Sequence, residues 1–207
     1  MVPQMLSATD LPKLPQLPHL EAIVVGASAG AVDALSTLLP GLPAGGPLPL
    51  VVLVHMPPQR RSLLPALFSP RCSIRVREAE DKAPVSPGTV WFAPPDYHLL
   101  IEQDRHFSLS VDDPVNFSRP SIDVLFESAA DAYGAAVMAV VLTGANADGA
   151  VGAAAVRKAG GFVVAQDPAG AEVAVMPRAA IEAAQPQFVA PLPRIAALLR
   201  VAMGGVE

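Results

Sequence analysis

A chain of 207 residues that is 52% hydrophobic and only 16% charged can fill one substantial core and is not a disordered polymer. Its 14 Lys and Arg against 19 Asp and Glu leave a net charge of -5, which offers no general attraction to nucleic acid or anionic lipid. Cys72 is the single cysteine, so neither an internal disulfide nor a thiolate zinc cluster can form, and no apolar run approaches the roughly 18 residues of a membrane span; the composition implies a soluble protein of a reducing compartment.

Residues 1–20 carry Pro3, Pro12, Pro15 and Pro18, without a cationic start or a continuous apolar stretch. They read as a Pro-rich arm or linker rather than a secretory signal, with the folded domain expected over residues 21–207. Ala22 to Gly26 is a short apolar run rich in β-branched residues, the pattern of a strand buried on both faces. A helix follows over Gly30 to Leu39, ended by Pro40 and Gly41. The pair repeats as a strand over Leu50 to Val54 and a helix over Arg60 to Phe68. Ser73 to Arg77 is a weaker strand, and Thr89 to Ala93, Tyr97 to Glu102 and Phe107 to Val111 alternate in a way that suggests an antiparallel excursion. A helix is expected from Pro120 to Tyr133, a strand over Ala136 to Leu142, a helix over Gly149 to Ala159, a strand over Gly161 to Ala165 and a closing helix over Ile195 to Ala202. This order predicts an α/β fold: a doubly wound, mostly parallel sheet with helices on both faces and an antiparallel hairpin excursion.

Open parallel sheets bind ligands outside the carboxyl ends of their strands. Three such ends here carry chemistry: Gly26-Ala27-Ser28-Ala29-Gly30, His55, and Thr143-Gly144-Ala145-Asn146-Ala147-Asp148-Gly149. Gly-x-Ser-x-Gly suits a sharp strand-to-helix turn that exposes the serine hydroxyl. A serine is a weak nucleophile unless an imidazole takes its proton, and the imidazole needs a carboxylate to set its tautomer. Ser28, His55 and Asp148 supply the three groups, in an order that differs from the Ser, Asp, His order of α/β-hydrolases. Taken singly, each has a plainer use: Ser28 and Asp148 as caps of the helices that follow them, His55 as a satisfied strand-end histidine. A nucleotide-binding module is the competing class, yet the glycines do not spell Gly-x-Gly-x-x-Gly, no Walker lysine follows, and the second strand ends in His55 rather than an acid.

From Ala22 to about Leu199 the chain resembles the catalytic domain of the CheB chemotaxis receptor methylesterases. The matching stations include Gly26-Ala27-Ser28-Ala29-Gly30, His55-Met56-Pro57-Pro58, Pro114-Val115-Asn116, Arg119-Pro120-Ser121-Ile122-Asp123, Leu142-Thr143-Gly144, Asp148-Gly149-Ala150 and Met176-Pro177-Arg178. The resemblance implies a cytoplasmic serine hydrolase that removes methyl esters from glutamates of methyl-accepting chemotaxis receptors and deamidates receptor glutamines. It needs no metal or cofactor. Ser28 is then the nucleophile, His55 the base and Asp148 the orienting acid, with backbone N–H groups of Ala29 and Ala145 facing the oxyanion. The pattern departs at Ala29, where threonine is usual, and at Ala145, Asn146 and Ala147, where methionine and a Gly-Asn pair are usual; a catalytically inactive receptor-binding module is the reading those changes leave open. The family's receiver domain is not expected in so short a leader, so control is expected to be absent or supplied in trans by a receiver protein.

Overall fold

The computed structural model describes residues 14–56 and 62–205. Seven strands form one parallel sheet in the order β3-β4-β2-β1-β7-β8-β9, comprising β1 (Ala22–Ala27), β2 (Leu50–Val54), β3 (Arg75–Glu78), β4 (Thr89–Phe92), β7 (Val137–Val141), β8 (Phe162–Gln166) and β9 (Phe188–Ala190). The remaining two, β5 (His98–Ile101) and β6 (Phe107–Ser110), make an antiparallel hairpin. Helices α1 (Ala31–Leu38), α2 (Leu64–Phe68), α3 (Ile122–Tyr133), α4 (Ala150–Lys158), α5 (Val175–Ala184) and α6 (Leu192–Ala202) complete the chain. Among the described residues, no helix is long and apolar enough to cross a membrane.

The strand alternation sorts side chains into two cores. Ile23 and Val25 of β1 face Leu35 and Leu38 of α1 and Leu198 and Leu199 of α6, while Ala22 and Val24 face the layer of α3, α4 and α5. Both faces are covered, which is why β1, β2 and β7 read as unbroken apolar runs instead of alternating ones. The hairpin packs Leu99, Ile101 and Phe107 onto the second core, with Phe107 edge-on to Trp91 at 5.4 Å. Residues 14–20 have no regular structure, but Leu14, Leu17 and Leu20 lie against the first core.

The doubly wound architecture holds, with one reassignment. Thr89 to Phe92 does not belong to the antiparallel excursion: β4 lies between β2 and β3 and pairs parallel to both. Its four residues are buried, so the apparent alternation of a half-exposed hairpin strand misleads there. The second expected helix shortens to Leu64–Phe68, and the residues expected to open it fall partly outside the described chain. Helix α5 and strand β9 lie in a stretch, Val175 to Ala190, whose sequence pattern predicts no element.

Sheet order reverses direction at β1, which pairs with β2 on one side and β7 on the other. A crevice opens at such a switch point, and the loops that follow β1, β2 and β7 all end there.

Candidate active site

Ser28 stands one residue beyond β1. Its N–H donates to the Thr143 carbonyl at 2.9 Å, and its own carbonyl accepts from Ala31 N–H at 3.0 Å, closing the turn into α1. Gly30 makes that turn possible: its φ of 80° lies in the left-handed region, and a Cβ there would sit 2.9 Å from the Glu172 Cβ. Gly30 holds the cap position of α1 and has no side chain, and among the described residues no hydrogen bond spends the Ser28 hydroxyl on capping.

His55 follows β2, with its N–H on the Ala27 carbonyl at 3.2 Å. The sheet hydrogen bonding thus continues past the strand ends and brings both loops to one edge. Ser28 and His55 face a shared depression walled by Val32 and Leu64. Among the described residues no hydrogen bond joins the Ser28 side chain to the imidazole. His55 also borders a second pocket, lined by Met56, Pro114, Phe117, Arg119 and Pro120. At about 170 Å³ that pocket is smaller than the roughly 300–1,000 Å³ typical of small-molecule and cofactor sites. It suits a single side chain better than a dinucleotide.

His55 Nε2 lies 2.7 Å from Asp148 Oδ2, and Asp148 is fully buried. An ionised carboxylate only accepts hydrogen bonds, so this contact assigns the ring proton to Nε2 and leaves the Nδ1 lone pair free. Asp148 does not cap the helix that follows it, whose cap position is Gly149 in left-handed conformation. Instead it sits on the amino end of α3. Oδ2 accepts Ile122 N–H at 2.7 Å, and Oδ1 accepts Asp123 N–H at 3.1 Å, Ser121 Oγ–H at 2.8 Å, Gly149 N–H at 3.1 Å and Asn116 Nδ2–H at 3.1 Å. Burial by itself would raise this carboxyl, but hydrogen bonds from His55, the Ile122 N–H, Ser121 and Asn116 outweigh it and bring the pKa down to about 2. The partial positive charge of the helix terminus acts in the same direction.

A second carboxylate lies behind the first. Asp123 is 4% exposed and accepts Gly152 N–H at 2.7 Å and Asn116 Nδ2–H at 2.8 Å. Burial raises its pKa, the Gly152 N–H opposes this, and the Asp148 charge raises it further. Asn116, Ser121 and Asp123 were legible in the sequence only as stations of the family resemblance, with no role attached. His98 is likewise part of the support: buried, its Nδ1 accepts Ser121 N–H at 3.2 Å and its Nε2 lies 3.1 Å from the Asp113 carbonyl.

The loop beyond β7 is pinned to the start of α5. Gly144 N–H donates to the Val173 carbonyl and Gly144 O accepts Met176 N–H, each at 3.0 Å. Thr143 Oγ donates to the Ala29 carbonyl at 2.8 Å, which joins this loop to the serine turn. Among the described residues, the N–H groups of Ala29 and Ala145 have no backbone acceptor. Asn146 does not adopt a left-handed backbone; its Oδ1 accepts Asp148 N–H at 3.2 Å, so replacing a glycine here forces no strained angle. Among the described residues, no cluster of His, Cys, Asp or Glu could hold a metal ion.

The site is thus a serine, a histidine and a buried carboxylate brought to one edge of a parallel α/β sheet at its switch point. The chain belongs to the CheB methylesterase family, whose model matches residues 23–199. A relative from Leptospira interrogans is 47% identical over 180 residues, which cover 87% of this chain and 93% of that protein. A protein-glutamate methylesterase/protein-glutamine glutaminase of Caulobacter vibrioides is 38% identical over 85% of this chain, which spans 52% of its length. Among solved structures, the catalytic domain of the Thermotoga maritima CheB methylesterase superposes with a TM-score of 0.84 at 35% identity, covering 89% of this chain and 99% of that one.

Proposed function

We propose that this chain is a protein-glutamate methylesterase that hydrolyses glutamate methyl esters on the cytoplasmic helices of methyl-accepting chemotaxis receptors, and that it also deamidates receptor glutamines. Residues 21–207 form the catalytic domain, preceded by a Pro-rich arm. The observation that carries the reading is the 2.7 Å contact of His55 with buried Asp148 at the sheet edge that also presents Ser28; family membership supplies the reaction class.

In this mechanism His55 Nδ1 takes the Ser28 hydroxyl proton as Oγ attacks the ester carbonyl carbon. Asp148 holds the Nε2 proton and balances the imidazolium charge that forms. The unengaged N–H groups of Ala29 and Ala145 receive the negative oxygen of the tetrahedral intermediate. The Nδ1 proton passes to the methoxy oxygen, methanol leaves, and the glutamyl group remains on Ser28. Water gives a proton to His55, attacks the acyl carbon, and the returned proton restores the serine, freeing the carboxylate. With glutamine, ammonia leaves in place of methanol. A loose serine–imidazole contact before substrate binds is common in hydrolases and tightens when the site is filled.

The test is methanol release from methylated receptor membranes, run beside ammonia release from receptors carrying glutamine. Release by the parent that disappears in Ser28→Ala supports the assignment; release that survives the substitution would sink it.

A further inference from the structure

Asn116 holds two buried acids with one amide group. Its Nδ2 donates to Asp123 Oδ2 at 2.8 Å and to Asp148 Oδ1 at 3.1 Å, using both of its protons. The two carboxylates are 4% and 0% exposed and face each other's charge in a region where water cannot screen them. A neutral group that donates twice and accepts nothing from either acid is the chemistry that lets two anions share such a site.

The same residue lies within the segment that walls the pocket beside His55. Pro114, Phe117 and Arg119 line that pocket, and Phe117 is fully exposed at its mouth. Asn116 and Phe117 both adopt left-handed backbone, with φ of 51° and 60°. Val115 and Ser118 exchange backbone hydrogen bonds at 3.1 and 2.9 Å around them. Arg119 Nη1 donates to the carbonyls of Val111 and Asp112 at 2.9 and 3.1 Å. These bonds give the loop its shape, whereas the Asn116 amide connects that shape to the acid that orients His55.

We propose that Asn116 is a positioning residue that couples the loop walling the pocket beside His55, where the substrate side chain would enter, to the catalytic acid, so that the pocket wall and the imidazole are set by one amide. The inference rests on the Ser28, His55, Asp148 reading. Losing the amide leaves Asp148 less firmly fixed, which lowers turnover, and frees the loop, which weakens substrate binding.

Asn116→Gly and Asn116→Asp separate this role from that of a simple turn, because glycine and aspartate both accept a left-handed backbone and neither supplies the two donors. Three quantities are measured on the full chain: the second-order rate of Ser28 labelling by a fluorophosphonate, kcat and KM for methanol release from methylated receptor membranes, and the folded fraction by circular dichroism at the assay temperature. In Asn116→Gly, labelling and kcat fall about tenfold, the scale of one hydrogen bond to a charged group, and KM rises. Asn116→Asp, which sets a third carboxylate against the other two, falls further; should it fail to fold, the glycine variant decides. Parental labelling and an unchanged kcat in a folded Asn116→Gly would overturn the inference. A parent that takes no fluorophosphonate would overturn the triad reading itself, and the role of Asn116 with it.

Discussion

Asp148 and Ile122 belong to different crossover units of the sheet, yet the Asp148 carboxylate accepts the Ile122 N–H at 2.7 Å and so closes the open end of helix α3. One contact serves two purposes: it satisfies a helix N–H that would otherwise be buried without a partner, and it holds the carboxylate ionised where it meets His55.

Ser28→Ala is expected to reduce turnover by about a thousandfold or more while leaving the fold intact, since residual acceleration comes only from binding and the oxyanion donors. The serine backbone, not its hydroxyl, makes the bonds to Thr143 and Ala31 that shape the turn. Methanol release and thermal melting measured on the same preparation check both halves.

Asp148→Asn is expected to be costly in two ways. The Ile122, Asp123 and Gly149 N–H groups and the Asn116 amide nitrogen can only donate, so an amide NH2 in its place finds an acceptor only in the Ser121 hydroxyl, or in His55 Nε2 once the ring proton has moved to Nδ1. The imidazole loses the partner that keeps its proton on Nε2, and turnover should fall by about 10⁴. A lowered melting temperature together with loss of fluorophosphonate labelling is the expected result.

Acid should destabilise the fold through Asp148. Its folded pKa of about 2 lies below the ordinary value of 3.8, so the folded state binds its proton less readily than the unfolded chain does. That stability is fully present above the unfolded pKa and is lost as pH falls from about 4 toward 2, on the order of 2 kcal/mol. Asp123 works in the opposite sense, because its raised pKa favours protonation in the folded state. Urea unfolding followed from pH 6 to pH 2.5 should show the midpoint dropping at the acid end, and less steeply in Asp148→Asn than in the parent.

Gly26→Ala tests the close approach of strand and helix. A Cβ at residue 26 would stand 2.4 Å from Ile122 Cγ2, so the Ile122 side chain must move, and with it the start of α3 where its branched side chain has no other rotamer to take. Overpacking of this kind costs about 1–3 kcal/mol. Because Ile122 N–H is a partner of Asp148, turnover should fall more than the loss of folded protein explains, measured as methanol release per folded molecule.

The chain announces much of this arrangement by itself. Ala22 to Gly26, Leu50 to Val54 and Val137 to Val141 are apolar on both faces, which only a covered parallel sheet accommodates, and Ser28, His55 and Asp148 follow the ends of those same strands. Strands of that kind bring their carboxyl ends to one edge, so local composition and chain order were enough to nominate the three residues.

Pairing and support were decided elsewhere. The partners of Thr89–Phe92, and the existence of the three-residue strand Phe188–Ala190, depend on neighbours far along the chain, because short segments take their direction from what they lie beside. The same holds for Asn116, Ser121, Ile122 and Asp123, which gather on a carboxylate more than twenty residues away. Periodicity records which side of an element is apolar, a property of nearest neighbours; it holds no record of which distant donor meets which acceptor, since that distance is fixed only when the helices close over the sheet.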